Sequence, residues 1–133
     1  MGLADGTTTG VGLALGMAIA GEPGRAIWLA GLSGGLAAFP GMASGRYQSE
    51  PGDGITGAVV CGLATTIGSV MVVVPYLITT GRLALIAAVI TAAVLCAVVA
   101  VIRDQTGWQA WALSYGITAV AAGLCLAGGL LGA

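Results

Sequence analysis

The chain carries very little charge, and this scarcity excludes most classes of soluble protein. Only 7% of its 133 residues are charged, four basic and five acidic, whereas 58% are hydrophobic. Soluble domains carry roughly 25% charged residues, so this composition cannot supply a water-exposed surface. Because nearly every residue belongs to an apolar run, we predict a single transmembrane domain over residues 1–133 and no separate soluble domain.

Further absences exclude several kinds of chemistry. The chain has no histidine and no C-x-x-C pair, and Cys61, Cys96 and Cys125 lie well inside apolar runs. We therefore interpret these cysteines as small packing residues, not as ligands of zinc or an iron–sulfur cluster. The sequence offers no basic patch for nucleic acid, no nucleophile beside a base and no phosphate loop. We expect no enzyme, no nucleic-acid partner and no permanently bound cofactor.

What the chain does contain is five long uncharged runs bounded by its few charges. About 20 residues at ~1.5 Å rise each cross a hydrocarbon core of ~30 Å. A membrane barrel would show alternation in segments of ~10 residues, whereas residues 84–102 are apolar all round. We predict an all-α integral membrane bundle of five transmembrane helices, multi-pass in the lipid bilayer, in the cell membrane if the source is prokaryotic. The predicted spans are residues 3–20, 26–43, 55–79, 83–102 and 108–131.

Turn-forming residues separate these spans, and two prolines interrupt them. Pro40 and Pro75 each remove an amide donor inside a span and predict a kink. Trp108 and Trp111 open the last span on one face, as interfacial anchors do. The predicted turns are E-P-G-R (22–25), S-E-P-G-D-G (49–54), T-G-R (80–82) and R-D-Q-T-G (103–107).

The first span carries the most informative local pattern. On a helical wheel a carboxylate, a hydroxyl and two glycines fall within about 60°, with two more small residues beside them. Spacing of small residues by four suits close helix pairing, and across a two-fold axis this stripe would bring two Asp5 carboxylates together. The stripe consists of Asp5, Thr9, Gly12 and Gly16, with Thr8 and Ala20 at its edge.

Two interpretations of Asp5 stand side by side. An acidic group entering a membrane span is costly, and its default interpretation is a functional one, because it can neutralise a cation or carry a proton. Asp5 also lies close to Met1, where it could sit in headgroup water and favour a helix N-terminus through the dipole.

Three segments together resemble the vacuolar iron transporter family. They are L-A-D-G-T-T-T-G (3–10), A-G-L-S-G-G-L-A-A-F-P-G-M-A-S-G-R-Y (30–47) and I-G-S-V-M-V-V-V-P-Y (67–76), followed by a glycine-rich last span. They occur in the family's order along nearly the whole chain. The resemblance implies a five-helix protomer, a homodimer, and transport of a divalent metal ion, Fe²⁺ or Mn²⁺, usually in exchange for protons.

The resemblance also implies site residues. The family's first-span aspartate matches Asp5, and its second-span methionine matches Met42. This pair would combine the charge of a carboxylate with a soft thioether suited to Fe²⁺. Together with the wheel, the match predicts a pathway lined by Thr8, Thr9, Gly12, Gly16 and Tyr47.

The remaining polar and sulfur-containing side chains have structural interpretations. We interpret Met17 and Met71 as packing or lipid-facing residues, and Tyr76 as an interfacial or interhelical hydrogen-bonding group. Hydroxyls inside spans are expected to bond to backbone carbonyls or across helices. These are Ser33, Ser69, Thr65 and Thr66.

The departures from the family pattern favour an alternative. Ala38 stands where many members have an acidic residue, and Arg46 replaces the glutamate of a Gly-Glu-Tyr ending. The soluble metal-binding insertion of some members is reduced to residues 48–53. Two hypotheses therefore remain: a proton-coupled divalent metal transporter acting as a homodimer, or a non-transporting membrane scaffold or partner subunit that retains the fold. A small nonselective pore is a third possibility.

Overall fold

The computed structural model describes residues 2–102 and 108–132, which form helices joined by short turns. No strand occurs in these residues, so the predicted all-α class is confirmed. The 3₁₀ turn Pro51–Asp53 precedes the third helix. The α-helices are α1 (Gly2–Ile19), α2 (Gly24–Ser49), α3 (Gly54–Val73), α4 (Pro75–Ile78), α5 (Arg82–Ile102) and α6 (Trp108–Gly132).

Three helical stretches are long and apolar enough to cross a membrane: Gly24–Ser49, Pro51–Ile78 and Arg82–Ile102. A shorter apolar stretch, Tyr115–Gly128, lies within α6. These lengths match the ~30 Å hydrocarbon core and support the prediction of a membrane protein with transmembrane helices. That α1 and the whole of α6 also cross the membrane stays a prediction from the uncharged runs.

The helix boundaries differ from the sequence prediction mainly at the end of α2. This helix continues to Ser49, six residues beyond the predicted end of the span at residue 43, so Arg46 and Tyr47 lie near its C-terminus. Pro40 lies inside the continuous helix, whereas Pro75 marks an interruption, because α3 ends at Val73 and α4 begins at Pro75. The predicted turn 103–107 lies outside the described residues.

Helix α1 lies at the centre of the bundle and contacts α2, α3, α5 and α6. The buried core around it is built from small and β-branched residues, including Ala14, Ile27, Val72 and Ala88. Large apolar side chains point outward instead, as Ile55 does at 72% exposure. A bundle that is apolar outside and closely packed by small residues inside fits helix association in lipid, where packing replaces the hydrophobic effect.

Candidate functional site

One face of α1, formed by Gly2, Gly6 and Gly10, packs directly on the backbone of α3; we call it the closed face. A Cβ on Gly10 would lie 2.8 Å from the carbonyl oxygen of Ser69, and a Cβ on Gly2 or Gly6 would meet the backbone of Cys61 or Thr65 even more closely. Only glycine permits this approach. The sequence contains the signal for this face, a glycine at every fourth position. It lies beside the stripe of Asp5, Thr9, Gly12 and Gly16 and was not predicted as a contact face.

Hydroxyl groups of α3 fasten it to both neighbouring helices. Ser69 donates a hydrogen bond to the carbonyl oxygen of Gly6 in α1 at 2.9 Å, and Thr66 donates to that of Gly35 in α2 at 2.9 Å. Thr65 donates within its own helix, to Cys61, at 3.0 Å. With the bond from Ser33 to Ala30, these confirm the predicted pairing of hydroxyls with carbonyls, which removes unsatisfied polar groups from an apolar interior.

The opposite side of α1 forms a groove of about 630 Å³ against α6. It combines hydroxyl, sulfur and carboxylate groups with apolar ones. The described residues that line it are Thr8, Thr9, Gly12, Leu13, Gly16, Met17, Ala20 and Glu22 from α1 and the turn after it, and Ala121 and Cys125 from α6. We call this surface the α1 groove.

Four of the predicted pathway residues, Thr8, Thr9, Gly12 and Gly16, come together in the α1 groove. The glycine stripe was predicted to suit close helix pairing, and it packs against α6. A Cβ on Gly12 would lie 2.6 Å from Cys125 Sγ, and one on Gly16 would lie 3.2 Å from the Cys125 carbonyl oxygen. The glycines therefore accommodate α6 of the same chain, because a covalently linked helix is already in place there.

Asp5 and Met42 do not line the α1 groove. Asp5 is exposed in the first turn of α1 and, within the described part of the chain, has no hydrogen bond or ion pair, while Met42 is half-buried on α2. Both residues lie toward the same end of the antiparallel α1–α2 pair, however. The contacts of Gly6 with Thr65 and of Gly62 with Phe39 on α3 place Met42 beyond Asp5 toward that end.

Tyr47 and Arg46 also lie near this end, on the last turn of α2. Tyr47 is 51% exposed and does not line the α1 groove. The guanidinium of Arg46 pairs with Glu50, at 2.7 Å from Nη2 to Oε2, and with Asp53. Because two carboxylates surround one guanidinium, the positive charge that departs from the family pattern is compensated locally.

Three lining residues, Met17, Cys125 and Glu22, were not predicted as part of a site. Met17 and Cys125 were assigned to packing, since a single sulfur in an apolar run has no further signal. Glu22 was placed in a turn, and only the path of the chain brings it to one end of the groove. Among the described residues, no group of three or more histidine, cysteine, aspartate or glutamate side chains could hold a metal ion.

Tyr76 differs from its expected role. Its side chain is 5% exposed, and its hydroxyl has no hydrogen-bond partner in the described residues. The expected interhelical hydrogen bond is therefore absent from this tyrosine as the structure describes it. A buried hydroxyl without a partner costs about 1–3 kcal/mol, so the position is a costly one for an ordinary packing residue.

Together, these features define a multi-helix membrane protein with a closely packed central helix and one partly polar groove. Comparisons with protein-family models, curated proteins and solved structures give no match for the chain. Its function therefore has to be argued from the residues and their geometry.

Proposed function

We propose that this protein is a divalent metal cation transporter for Fe²⁺ or Mn²⁺, acting as a homodimer and coupled to protons. Asp5 and Met42 would provide the first ion ligands at one end of the bundle. The α1 groove would continue the ion's route past Thr8 and Thr9 toward Glu22. The proposal agrees with the resemblance to vacuolar iron transporters.

The observation that carries the proposal is the extent of the α1 groove. From Thr8 to Ala20 it follows α1 for twelve residues, about 18 Å at ~1.5 Å each, a large part of a ~30 Å hydrocarbon core. Acidic groups lie at both ends, Asp5 just before the groove and Glu22 in its lining at the far end. Carboxylates at the two ends of a partly polar groove support passage of a cation, because each can offset the positive charge of an entering ion.

The antiparallel packing of α1 and α2 supports the choice of ion ligands. It places Asp5 and Met42 toward the same end of neighbouring helices, the end at which an ion would approach the α1 groove. The carboxylate supplies negative charge, and the thioether favours Fe²⁺ over the harder Ca²⁺ and Mg²⁺.

The small number of ligands in one protomer supports a homodimer. The described part of one protomer holds no cluster of three or more metal-binding acid, thiol or imidazole side chains, whereas a dication in a membrane needs several donors. A second copy placed on a two-fold axis near Asp5 would raise the ligands from two to four. Because α6 occupies the Gly12–Gly16 stripe, the contact between copies would be near the Asp5 end of α1.

The chemistry of carboxylates supports proton coupling. A carboxylate binds a metal ion in its deprotonated form, so a metal ion and a proton compete for the same group. Asp5 is exposed in the first turn of α1, where an ion from the aqueous phase would meet it.

A flux assay tests the proposal. The protein is reconstituted into liposomes that contain a metal-sensitive dye, and entry of Fe²⁺ or Mn²⁺ is followed across a pH gradient. We expect Asp5→Ala to abolish flux and Met42→Leu to reduce Fe²⁺ flux more than Mn²⁺ flux. Glu50→Gln is the matched control, because Glu50 is an exposed acid near the same end that pairs with Arg46; it should transport normally. Equal flux in Asp5→Ala and Glu50→Gln would refute the assignment.

A specific observation favours the alternative, a non-transporting scaffold or partner subunit. Arg46 neutralises much of the acidic charge of Glu50 and Asp53, and Asp5 has no partner in the described part of the chain. Calorimetric titration of the purified protein with Mn²⁺ separates the two functions. A transporter binds with a stoichiometry that Asp5→Ala removes, whereas a scaffold gives no specific heat of binding.

A further inference from the structure

A second, smaller crevice of about 210 Å³ lies at the Glu22 end of the bundle. It is formed where the turn between α1 and α2 meets the turn between α4 and α5. Its base is apolar and its rim carries two charges. The described residues that line it are Ala18, Glu22, Gly24, Ile27, Tyr76, Gly81, Arg82 and Leu85.

The two charged residues of this crevice have opposite sign and are held by matching turns. Glu22 follows Gly21, with φ of 79°, and Arg82 follows Gly81, with φ of 64°. Residues other than glycine rarely adopt these left-handed conformations. The two turns place the side chains of Glu22 and Arg82 at the same crevice. Within the described residues no ion pair joins Glu22 to Arg82, although both line one small volume.

The third polar group is the hydroxyl of Tyr76. This side chain lines the crevice, is 5% exposed, and has no hydrogen-bond partner among the described residues. Buried hydroxyls nearly always have a partner, and one without a partner calls for a ligand or a water to satisfy it. An unpaired cation, an unpaired anion and a tyrosine side chain whose buried hydroxyl is unsatisfied thus line the same crevice.

We propose that this crevice binds a zwitterion that joins a phosphate to a primary ammonium. The guanidinium of Arg82 would bind the phosphate with two parallel hydrogen bonds, and the carboxylate of Glu22 would accept hydrogen bonds from the ammonium. The Tyr76 hydroxyl would donate to a phosphate or ester oxygen. A volume of 210 Å³ holds roughly seven waters at ~30 Å³ each, enough for a phosphoethanolamine group.

Two sources supply this chemistry: the headgroup of an ethanolamine phospholipid and free phosphoethanolamine. The crevice lies at the ends of apolar helices, at the level where headgroups meet a bilayer. Its apolar base, which includes the half-buried Ala18 and Leu85, would contact the glycerol and first methylenes of a lipid. The proposal does not depend on metal transport.

Binding measurements on the full chain in detergent micelles test the proposal. Native mass spectrometry measures affinity for short-chain phosphatidylethanolamine, phosphatidylcholine and phosphatidylglycerol. We expect the ethanolamine lipid to bind at least about ten-fold more tightly than the other two, because choline has no N–H to donate and glycerol has no charge for Glu22. Equal affinity for the three lipids would overturn the proposal without any variant being made.

Variants identify the residues. Arg82→Gln and Glu22→Gln should each weaken binding of the ethanolamine lipid about ten-fold or more, and Tyr76→Phe about five-fold, as expected for one neutral hydrogen bond. Arg25→Gln is the matched control, because Arg25 is an exposed arginine near the same end that does not line the crevice. Equal losses in Arg25→Gln and Arg82→Gln would overturn the proposal, since they would indicate general surface charge.

Competition by soluble phosphoethanolamine identifies the source. Displacement of the lipid at similar concentrations supports the proposal with the free zwitterion as ligand. Displacement only at concentrations about a hundred-fold higher supports it with the lipid, because the apolar base then contributes to affinity. No displacement at any concentration, together with unchanged binding in Glu22→Gln, would overturn it. Helical circular dichroism of each variant verifies that the fold is retained.

Discussion

The two sides of α1 use the same kinds of residue for different purposes. On the closed face, glycines bring the α1 backbone against α3, and Ser69 of α3 donates to the Gly6 carbonyl. On the α1 groove, Gly12 and Gly16 leave room for Cys125 alone, and Thr9 makes no hydrogen bond in the described part of the chain. A glycine or a hydroxyl in a membrane helix therefore shows its role only through what lies opposite it.

The largest effect is expected at the closed face. Gly6→Ala places a Cβ against the backbone of Thr65, which cannot move without separating α1 from α3. We expect a loss of about 3 kcal/mol or more, at the upper end for overpacking, measured as the fraction unfolded in a denaturing-detergent titration. Gly41→Ala on α2 is the control, because its Cβ would meet nothing within 4 Å. If Gly6→Ala were as stable as this control, the close packing of the closed face against α3 would be contradicted.

A smaller effect is expected for Gly12→Ala in the α1 groove. Its Cβ would lie 2.6 Å from Cys125 Sγ, but a thiol can rotate away where a backbone cannot. We expect a loss of about 1–2 kcal/mol in the same titration. In the double variant Gly12→Ala/Cys125→Ala the loss should largely disappear, and a double-mutant cycle with no coupling would contradict the contact.

Removing the hydroxyl of Ser69 tests the polar fastening of the closed face. Ser69→Ala loses the bond to the Gly6 carbonyl, and we expect a cost of about 0.6–1 kcal/mol, typical of an interhelical hydrogen bond in a membrane protein. Ser33→Ala is the comparison, because Ser33 is exposed and bonds to Ala30 in its own helix. We expect no measurable change for Ser33→Ala; a larger loss there than at Ser69 would argue against the hydroxyl's role between helices.

The smallest change in stability is expected for Thr9→Val. The substitution keeps the shape of a half-buried side chain and removes a hydroxyl without a partner in the described residues, so the free energy of unfolding should change by less than about 0.5 kcal/mol. Under the proposed function, Mn²⁺ flux should nevertheless fall, because the groove loses an oxygen. Unchanged flux would show that Thr9 does not contact the ion.

Local features of the fold follow closely from the sequence. The uncharged runs predict the helices to within a few residues. Lipid offers no hydrogen-bond partner to a backbone amide, so each run must form its hydrogen bonds within its own helix. The end of α2 is the exception. The predicted span ended at residue 43, but the helix continues to Ser49, and Arg46 on its last turn pairs with Glu50 and Asp53. A charge ends a membrane span without necessarily ending its helix.

The candidate site is only partly foreseeable. The helical wheel identified Thr8, Thr9, Gly12 and Gly16 as one stripe, and all four line the α1 groove. Cys125 could not be foreseen, because more than a hundred residues separate it from the helix it contacts. Glu22 could not be foreseen either, because only the path of the turn after α1 brings it to the groove. The wheel gives the direction of a side chain around its own axis, but not which neighbouring helix it faces.

The sequence by itself determined that this protein is a helical bundle with membrane-spanning segments, because charge and hydropathy act on each segment independently of the others. Only the tertiary structure decided which glycines pack against α3, which leave a groove beside α6, and how Glu22, Tyr76 and Arg82 come to border one crevice. Those choices depend on distances between helices far apart in the chain. In an apolar medium such distances are set by the fit of small residues and the few available hydrogen bonds.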